Sequence, residues 1–154
     1  MLNSQRLTLR PHRPDDLEDS LAMWSDPETV RYIGGAPLTR EQVWARLLRH
    51  IGHWQVYGYG YLVVLHQQRF VGEVGIAEFK RDHYQLTHEA GWVFQSGARQ
   101  QGFAREAMET LLKWFARPTD CIIHPENAAS LRLADRLGYR VTARSEHNLV
   151  LHRA

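Results

Sequence analysis

Apolar positions in this chain recur with two different periods, and the switches between them predict the elements. Leu7, Leu9 and Pro11 alternate with Thr8 and Arg10, which predicts a first strand ended by the proline. Asp15 or Asp16 can cap a helix carrying Leu17, Leu21 and Trp24, which stops near Asp26-Pro27. A short helical or irregular piece follows through Tyr32, then the turn Gly34-Gly35-Ala36-Pro37. Thr39 with Gln42 makes a capping-box signature for the next helix, whose Val43, Leu47, Leu48, Ile51 and Trp54 form one apolar stripe. That helix ends in Tyr57-Gly58-Tyr59-Gly60.

Beyond it, Tyr61 to Leu65, a polar turn at His66 to Arg69, and Phe70 to Phe79 read as a hairpin. A second turn at Asp82-His83 leads into a strand from Gln85 to Phe94. A helix with Phe103, Ala107, Leu111 and Trp114 spans Gly102 to Phe115, and Pro118 forces a stop. Cys121 to His124 is a short buried strand, and Asn127 or Ala128 to Leu137 is a helix closed by Gly138. Two last strands fall at Tyr139 to Ala143 and Asn148 to His152. The strand–helix–strand crossover in the middle implies some parallel pairing. The expected fold class is therefore α/β (α+β), a central mixed, mostly antiparallel sheet of about six to seven strands flanked by helices. No repeat, linker or low-complexity stretch interrupts the pattern, so residues 1–154 are expected to form a single domain.

Composition narrows the class without naming a function. Hydrophobic content of 44% and charged content of 23% are those of an ordinary globular protein. Nineteen basic residues against 17 acidic ones point to neither a nucleic-acid nor a membrane partner. The longest apolar run, Tyr61 to Leu65, is far short of a membrane span of roughly 20 residues. Met1 to Arg6 has no apolar signal segment, and the single cysteine, Cys121, excludes an internal disulfide. A cytoplasmic setting is the expectation, with monomer and homodimer both open.

The most informative segment is Arg99-Gln100-Gln101-Gly102-Phe103-Ala104, which lies between a strand and a helix. A small-residue turn that opens a helix leaves the first backbone N–H groups without intrahelical partners, and together with the positive end of the dipole they form a phosphate site. Gly102 permits close backbone approach and Ala104 keeps the first turn slim. Read alone, the same loop also suits an ordinary helix entry or a phosphate-binding domain of another kind.

This loop has the Arg/Gln-x-x-Gly-x-Gly/Ala form of the acetyl-CoA loop of the GNAT N-acetyltransferase superfamily, and three further stretches match in order. Leu7-Thr8-Leu9-Arg10-Pro11 and Asp26-Pro27-Glu28-Thr29-Val30-Arg31-Tyr32-Ile33 resemble the opening strand and first helical junction of the branch that includes ribosomal-protein N-terminal acetyltransferases. Asn127-Ala128-Ala129-Ser130, followed by Leu137-Gly138-Tyr139, resembles that branch's Asn-x-x-Ser helix. The resemblance covers nearly the whole chain. It implies a GNAT-fold enzyme that moves an acetyl group from acetyl-CoA, as cosubstrate and without a metal, to a primary amine. That amine belongs to a protein N-terminus or a small molecule, and it attacks the thioester directly. A non-catalytic acyl-CoA-binding module of the same fold is the alternative.

By the same resemblance, backbone groups of Gln101, Gly102, Phe103, Ala104 and Arg105 would hold the pyrophosphate, with Arg99 or Arg105 adding charge. The strand Trp92-Val93-Phe94 would pair with the pantetheine arm, and a free N–H near Val93 would face the thioester oxygen. Side chains alternate on a strand, so Glu89, Gly91 and Val93 share one face and Ala90, Trp92 and Phe94 the other. Gly91 leaves room beside Glu89, which makes Glu89 the candidate general base, with Glu73 its rival and an ion-paired surface role the alternative. Ser130 would protonate the leaving thiolate, and Asn127 would hold the cofactor arm, cap the helix, or do both. Where many relatives carry a tyrosine acid, seven residues after the asparagine, this chain has Ala134. Cys121 reads as core, His88 and His124 as structural histidines that can assist proton transfer, and His50 with His53 as solvated side chains rather than a metal pair. Tyr61 and its aromatic neighbours read as packing or as a substrate wall.

Overall fold

In the computed structural model, which describes Met1–Ala154, one sheet of eight strands runs in the order β1-β2-β3-β4-β5-β6-β8-β7. The strands are β1 (Leu2–Asn3), β2 (Leu7–Pro11), β3 (Tyr61–His66), β4 (Arg69–Ala77), β5 (Glu89–Phe94), β6 (Thr119–Ile123), β7 (Arg140–Arg144) and β8 (Leu149–Arg153). The helices are α1 (Leu17–Trp24), α2 (Pro27–Val30), α3 (Arg40–Tyr57), α4 (Phe103–Phe115) and α5 (Ala128–Arg136). The sheet is mixed and mostly antiparallel as expected, but it has eight strands rather than six or seven. The addition is β1, whose two residues pair with Leu9 and Thr8 and are too few to show a period. Contacts far along the chain hold it in place: Ser4 and Arg6 both donate hydrogen bonds to the Glu106 carboxylate on α4.

Two other boundaries differ from the periodic reading. β4 ends at Ala77 and β5 starts at Glu89, so Gln85 to His88 belong to the connecting loop. The β3–β4 turn is two residues long, with Gln67 and Gln68 both left-handed at φ 51° and 64°. That is the backbone of a tight hairpin turn whose twist matches the strands, here made without glycine or asparagine.

The sheet is covered on both faces. Phe103, Ala107, Met108, Leu111, Leu112 and Phe115 on one side of α4 enter a core of 24 buried residues that includes Ile76, Ala90 and Phe94. On the other face a smaller cluster joins Met23, Trp24, Val30 and Val43 to Val63 and Val93. The predicted alternation along β5 is thus realised, with Val93 facing α1 and α3 and Ala90 and Phe94 facing α4. No helix is long and apolar enough to cross a membrane.

Between α1, α3 and β4 lies a polar knot. Glu73 is 1% exposed, and its carboxylate accepts hydrogen bonds from Trp24 Nε1 at 2.5 Å and His12 Nε2 at 2.6 Å. His50 is buried as well, with Nε2 3.9 Å from the same carboxylate and its ring stacked on Tyr61 at 4.5 Å. The expectation that His50 is solvated therefore fails, because its face of α3 turns onto the sheet. His53 faces elsewhere: its Nε2 accepts the Glu78 N–H at 2.9 Å, so Nδ1 carries the proton and donates to the Tyr59 carbonyl at 2.7 Å. The donor atoms of His12, His50 and Glu73 lie within 4.8 Å of one another.

Burial alone would push the Glu73 carboxyl up, but the His12 hydrogen bond and the charges of His12, His50 and Arg46 hold it at about 2. A carboxyl depressed in the folded state stabilises the fold above its unfolded pKa, and that contribution is lost as pH falls from about 4.5 toward 2. Glu73→Gln is expected to lower stability at pH 7 by about 2 kcal/mol. In urea titrations at pH 7, 4 and 3, the gap between wild type and variant should shrink as the pH falls. A gap independent of pH would show that Glu73 is not held ionised by its partners.

Candidate active site

β5 and β6 are the one parallel pair, and they register at a single position, Glu89 with Asp120. Beyond that bridge the strands part. Which backbone groups this frees follows from the neighbouring ladder. The Gln95 N–H donates to the Val71 carbonyl at 3.0 Å, and the β4–β5 register is continuous from Gly72–Phe94 to Ala77–Glu89. In an antiparallel ladder alternate residues bond to the same partner strand, so Val93 and Gly91 point their amides at β4, while Trp92 and Phe94 point theirs at the gap. The Asp120 N–H donating to the His88 carbonyl at 2.9 Å agrees with this phase. The donors facing the gap are thus those of Trp92 and Phe94, and the expected free N–H near Val93 sits one residue to either side.

The gap widens into a cleft of about 760 Å³. Its walls come from the α2–α3 loop, α3, the β4–β5 loop and β6, with Tyr32, Arg49, Arg81, Glu89 and His124 among the lining side chains. At one end the β4–β5 loop reaches the β7–β8 turn, where the Tyr84 hydroxyl lies 2.9 Å from Ser145 Oγ. At the other, the Tyr32 and His124 rings meet at 5.2 Å. The four residues between β7 and β8 contribute Asn148 to this rim.

Glu89 sits at the vertex where β5 and β6 separate. It is 6% exposed, and both oxygens accept from the Arg81 guanidinium, Nε at 2.6 Å and NH2 at 2.8 Å. The ion pair offered as the alternative for Glu89 is therefore present, and it holds the carboxylate at the cleft wall. The space over Gly91 is filled rather than open. Tyr61, Gly75 and Gly91 occupy one cross-strand row of β3, β4 and β5. A Cβ on Gly75 would lie 2.2 Å from the Tyr61 ring, and one on Gly91 would lie 2.1 Å from its hydroxyl oxygen. The two glycines let the phenol cross two strands and end beside Glu89 on the same face. Burial pushes the Tyr61 hydroxyl up, the nearby Arg46 pulling it down and the Glu89 and Glu73 charges adding to the rise. It is a neutral donor at any pH where the protein works.

The loop before α4 has the form the sequence predicts. Gln100 and Gly102 are left-handed, at φ 62° and 79°, and no side chain caps the helix. The first intrahelical bond is from the Glu106 N–H to the Gly102 carbonyl at 3.1 Å, so the amides of Phe103, Ala104 and Arg105 precede it. Arg6 braces the loop by donating to the Gln101 carbonyl at 2.9 Å. Neither loop arginine points freely outward. Arg99 donates to the Phe94 carbonyl and the Thr29 hydroxyl, and Arg105 pairs with Glu109 one turn on. The Phe94 ring is core, so only its backbone is available to a ligand.

Across the gap, Asn127 caps α5 by accepting the Ser130 N–H at Oδ1, 3.2 Å away. The Trp92 indole N–H donates to Ser130 Oγ at 3.3 Å, which joins the two sides of the opening and leaves the serine proton to be donated elsewhere. Glu73 is not among the lining residues; Trp24 stands between it and the cleft. Cys121 lines the gap at 1% exposure, and burial pushes its thiol up and away from nucleophilic reactivity. His88 turns its Nδ1 to the Pro118 carbonyl, and His124 accepts the Glu126 N–H, the satisfied roles that histidines take by default. Sequence reasoning missed Arg81, which acts through a loop of no periodicity, and the placing of Tyr61. For Tyr61 a signal existed, in glycines set inside two strands.

The chain matches the Acetyltransferase (GNAT) domain family over residues 6–140. An uncharacterised N-acetyltransferase, p20, of Bacillus licheniformis is 23% identical over 147 residues, covering 90% of this chain and 82% of that one. A putative GnaT-family acetyltransferase structure from Bordetella pertussis superposes with a TM-score of 0.85 at 30% identity, covering 99% and 98% of the two chains. At 15% identity, a ribosomal L7/L12 α-N-protein acetyltransferase in complex with coenzyme A shares the fold with a TM-score of 0.79 over 97% of this chain and 94% of that one. With the splayed strands and the uncapped glycine loop in place, these matches establish that the chain belongs to the GNAT family of N-acetyltransferases.

Proposed function

We propose that residues 1–154 form one catalytic domain that transfers an acetyl group from acetyl-CoA to a primary amine by direct attack on the thioester. The observation that carries this is the parting of β5 and β6 after one bridge, with an uncapped helix start, α4, following the loop bonded to the end of β5. Amides of Gln101 to Arg105 donate to the pyrophosphate oxygens, and the gap-facing amides of Trp92 and Phe94 pair with the pantetheine arm. The same amides are aimed where the thioester oxygen gains charge. A ribosomal L7/L12 acetyltransferase of this fold binds coenzyme A, which supports the cofactor assignment.

The acceptor enters from the side of α3 and the β4–β5 loop. Glu89, oriented by Arg81, takes the proton from the amine through a water. The Tyr61 hydroxyl donates a hydrogen bond at the same place and fixes that water or the amine. A carboxylate acting through a water is best suited to an amine that gives up its proton readily. An α-amine of pKa about 8 costs only about 1 kcal/mol to deprotonate at pH 7, whereas a lysine near 10.4 costs about 4.6. The arrangement therefore favours α-amines. Ser130, with its oxygen held by Trp92, gives its proton to the thiolate, and no acyl-enzyme forms.

Coenzyme A should raise the melting temperature, and thiol release should follow when an α-amine is added to acetyl-CoA. Ser130→Ala is expected to reduce kcat about 10- to 100-fold with coenzyme A binding unchanged; undiminished turnover would remove its acid role. Tyr61→Phe should produce a similar kcat loss at constant fold, and Gly91→Ala should reproduce it by expelling the hydroxyl. If Tyr61→Phe turns over like wild type, the phenol is packing only. Glu89→Gln is expected to lower kcat about 10- to 100-fold with coenzyme A binding unchanged, and undiminished turnover rules out Glu89 as the base.

A further inference from the structure

Four cationic side chains line the cleft, Arg46 and Arg49 from α3 and Lys80 and Arg81 from the β4–β5 loop. Arg81 is neutralised by Glu89. Arg46 and Arg49 are not: neither makes an ion pair or donates a side-chain hydrogen bond to any carboxylate. They sit three residues apart, hence on one face of a rigid helix. Each is held flat by an aromatic ring at the cleft wall, Arg46 over Trp24 at 4.2 Å and Arg49 over Phe79 at 5.1 Å. Arg81 lies against the same Phe79 ring at 4.8 Å, and that ring is 6.1 Å from Tyr61. The Arg46 Nε is buried without a hydrogen-bond partner. Three guanidiniums thus surround the proposed reaction centre with a single carboxylate bonded among them.

Like charges gathered this way repel. Burial, and the neighbouring Arg46 and Arg81, pull Arg49 below its ordinary value. Glu78 and Asp82 also line the cleft but form no ion pair with this group. Glu73, the remaining acid nearby, is engaged by Trp24 and His12. A solvated arginine pair would spread into water. These two are packed against rings, which removes much of the entropy that an anion would otherwise have to overcome. Planar guanidinium forks are the groups best matched to carboxylate and phosphate oxygens.

We propose that the acceptor amine itself carries an anionic group, a carboxylate or a phosphate, which Arg46 and Arg49 clamp while the amino group faces Glu89 and the Tyr61 hydroxyl. This rests on the cleft being the acceptor site and specifies what the acceptor is. The acceptor's charge supplies the direct ion pair that Arg46 and Arg49 do not make within the chain, and it sets the distance at which the amine meets the thioester. A free small molecule and the acidic N-terminus of a peptide share this chemistry.

Matched acceptors test it by thiol release with acetyl-CoA: phosphoethanolamine against ethanolamine, L-glutamate against its diamide, and the tripeptide Ser-Asp-Glu against Ser-Asn-Gln. The anionic member of at least one pair should be preferred by 10-fold or more in kcat/KM, and the pair that shows it tells metabolite from peptide. Arg49→Gln, on an exposed part of α3, should collapse that ratio chiefly through KM, and Arg49→Glu should invert it. Melting curves with coenzyme A confirm that the variants are folded. Equal or better turnover of the neutral members, or a ratio unmoved by Arg49→Glu, overturns the inference. So does coenzyme A binding with no acetylation of any anionic member, which leaves the cofactor assignment standing. Loss of coenzyme A binding in the wild-type protein would instead overturn the reading of the cleft.

Discussion

A sheet that opens in its middle has to leave backbone groups without partners, and this protein confines that cost to one place. β5 and β6 share a single bridge at Glu89 and Asp120 and then diverge, so the amides of Trp92 and Phe94 face an opening instead of a neighbouring strand. Unpaired amides inside a sheet are unfavourable unless something bonds to them. The divergence also decides where everything else stands. It puts Glu89 at the vertex and sets α5 and Ser130 across from Trp92, while the loop that opens α4 touches the end of β5 through the Arg99 bond to the Phe94 carbonyl.

The divergence lasts only because the surrounding structure is rigid. On one face, α4 inserts six apolar side chains into the main core, and Ser4 and Arg6 brace its first turn through Glu106. On the other, the Glu73 knot pins α1 and the segment after β2 to β4 through Trp24 and His12, and His50 of α3 packs beside it on the Tyr61 ring. A buried carboxylate with two strong donors is a specific fastening, since an apolar contact would let α1 slide. The same fastening explains why Glu73 is unsuited to be the base. A group held near pKa 2 and screened by Trp24 has neither the proton affinity nor the access that proton transfer requires.

Tyr61 joins the two halves of this arrangement. His50 stacks on its ring, Gly75 lies under it, and its hydroxyl reaches Gly91 next to Glu89. A single side chain thus links the buried knot to the cleft across two strands. The cleft wall beside it is basic and aromatic, with Trp24 and Phe79 each carrying an arginine. The fold is shared with acetyltransferases of low identity, whereas these wall residues come from α1, α3 and the irregular β4–β5 loop.

Seven of the eight strands, the four longer helices and the glycine loop could be read from the chain, because each is specified by neighbours in sequence. Period two places β2, an apolar run with a polar turn after it places β3 and β4, the Thr39–Gln42 box starts α3, and Gly102 marks the entry to α4. The alternation of Glu89, Gly91 and Val93 was readable for the same reason, as was Asn127 as a cap. Other features depend on pairings distant in sequence. The phase of the β4–β5 ladder decided which amides face the opening, and the register of β3, β4 and β5 filled the space over Gly91 with Tyr61. The pairing of Arg81 with Glu89 and the enclosure of Glu73 and His50 were settled by packing alone. Local periodicity records which face of an element is apolar, but it does not record which side chain from another element meets that face. Chemistry that requires several strands and helices to converge is for that reason decided only in the folded chain.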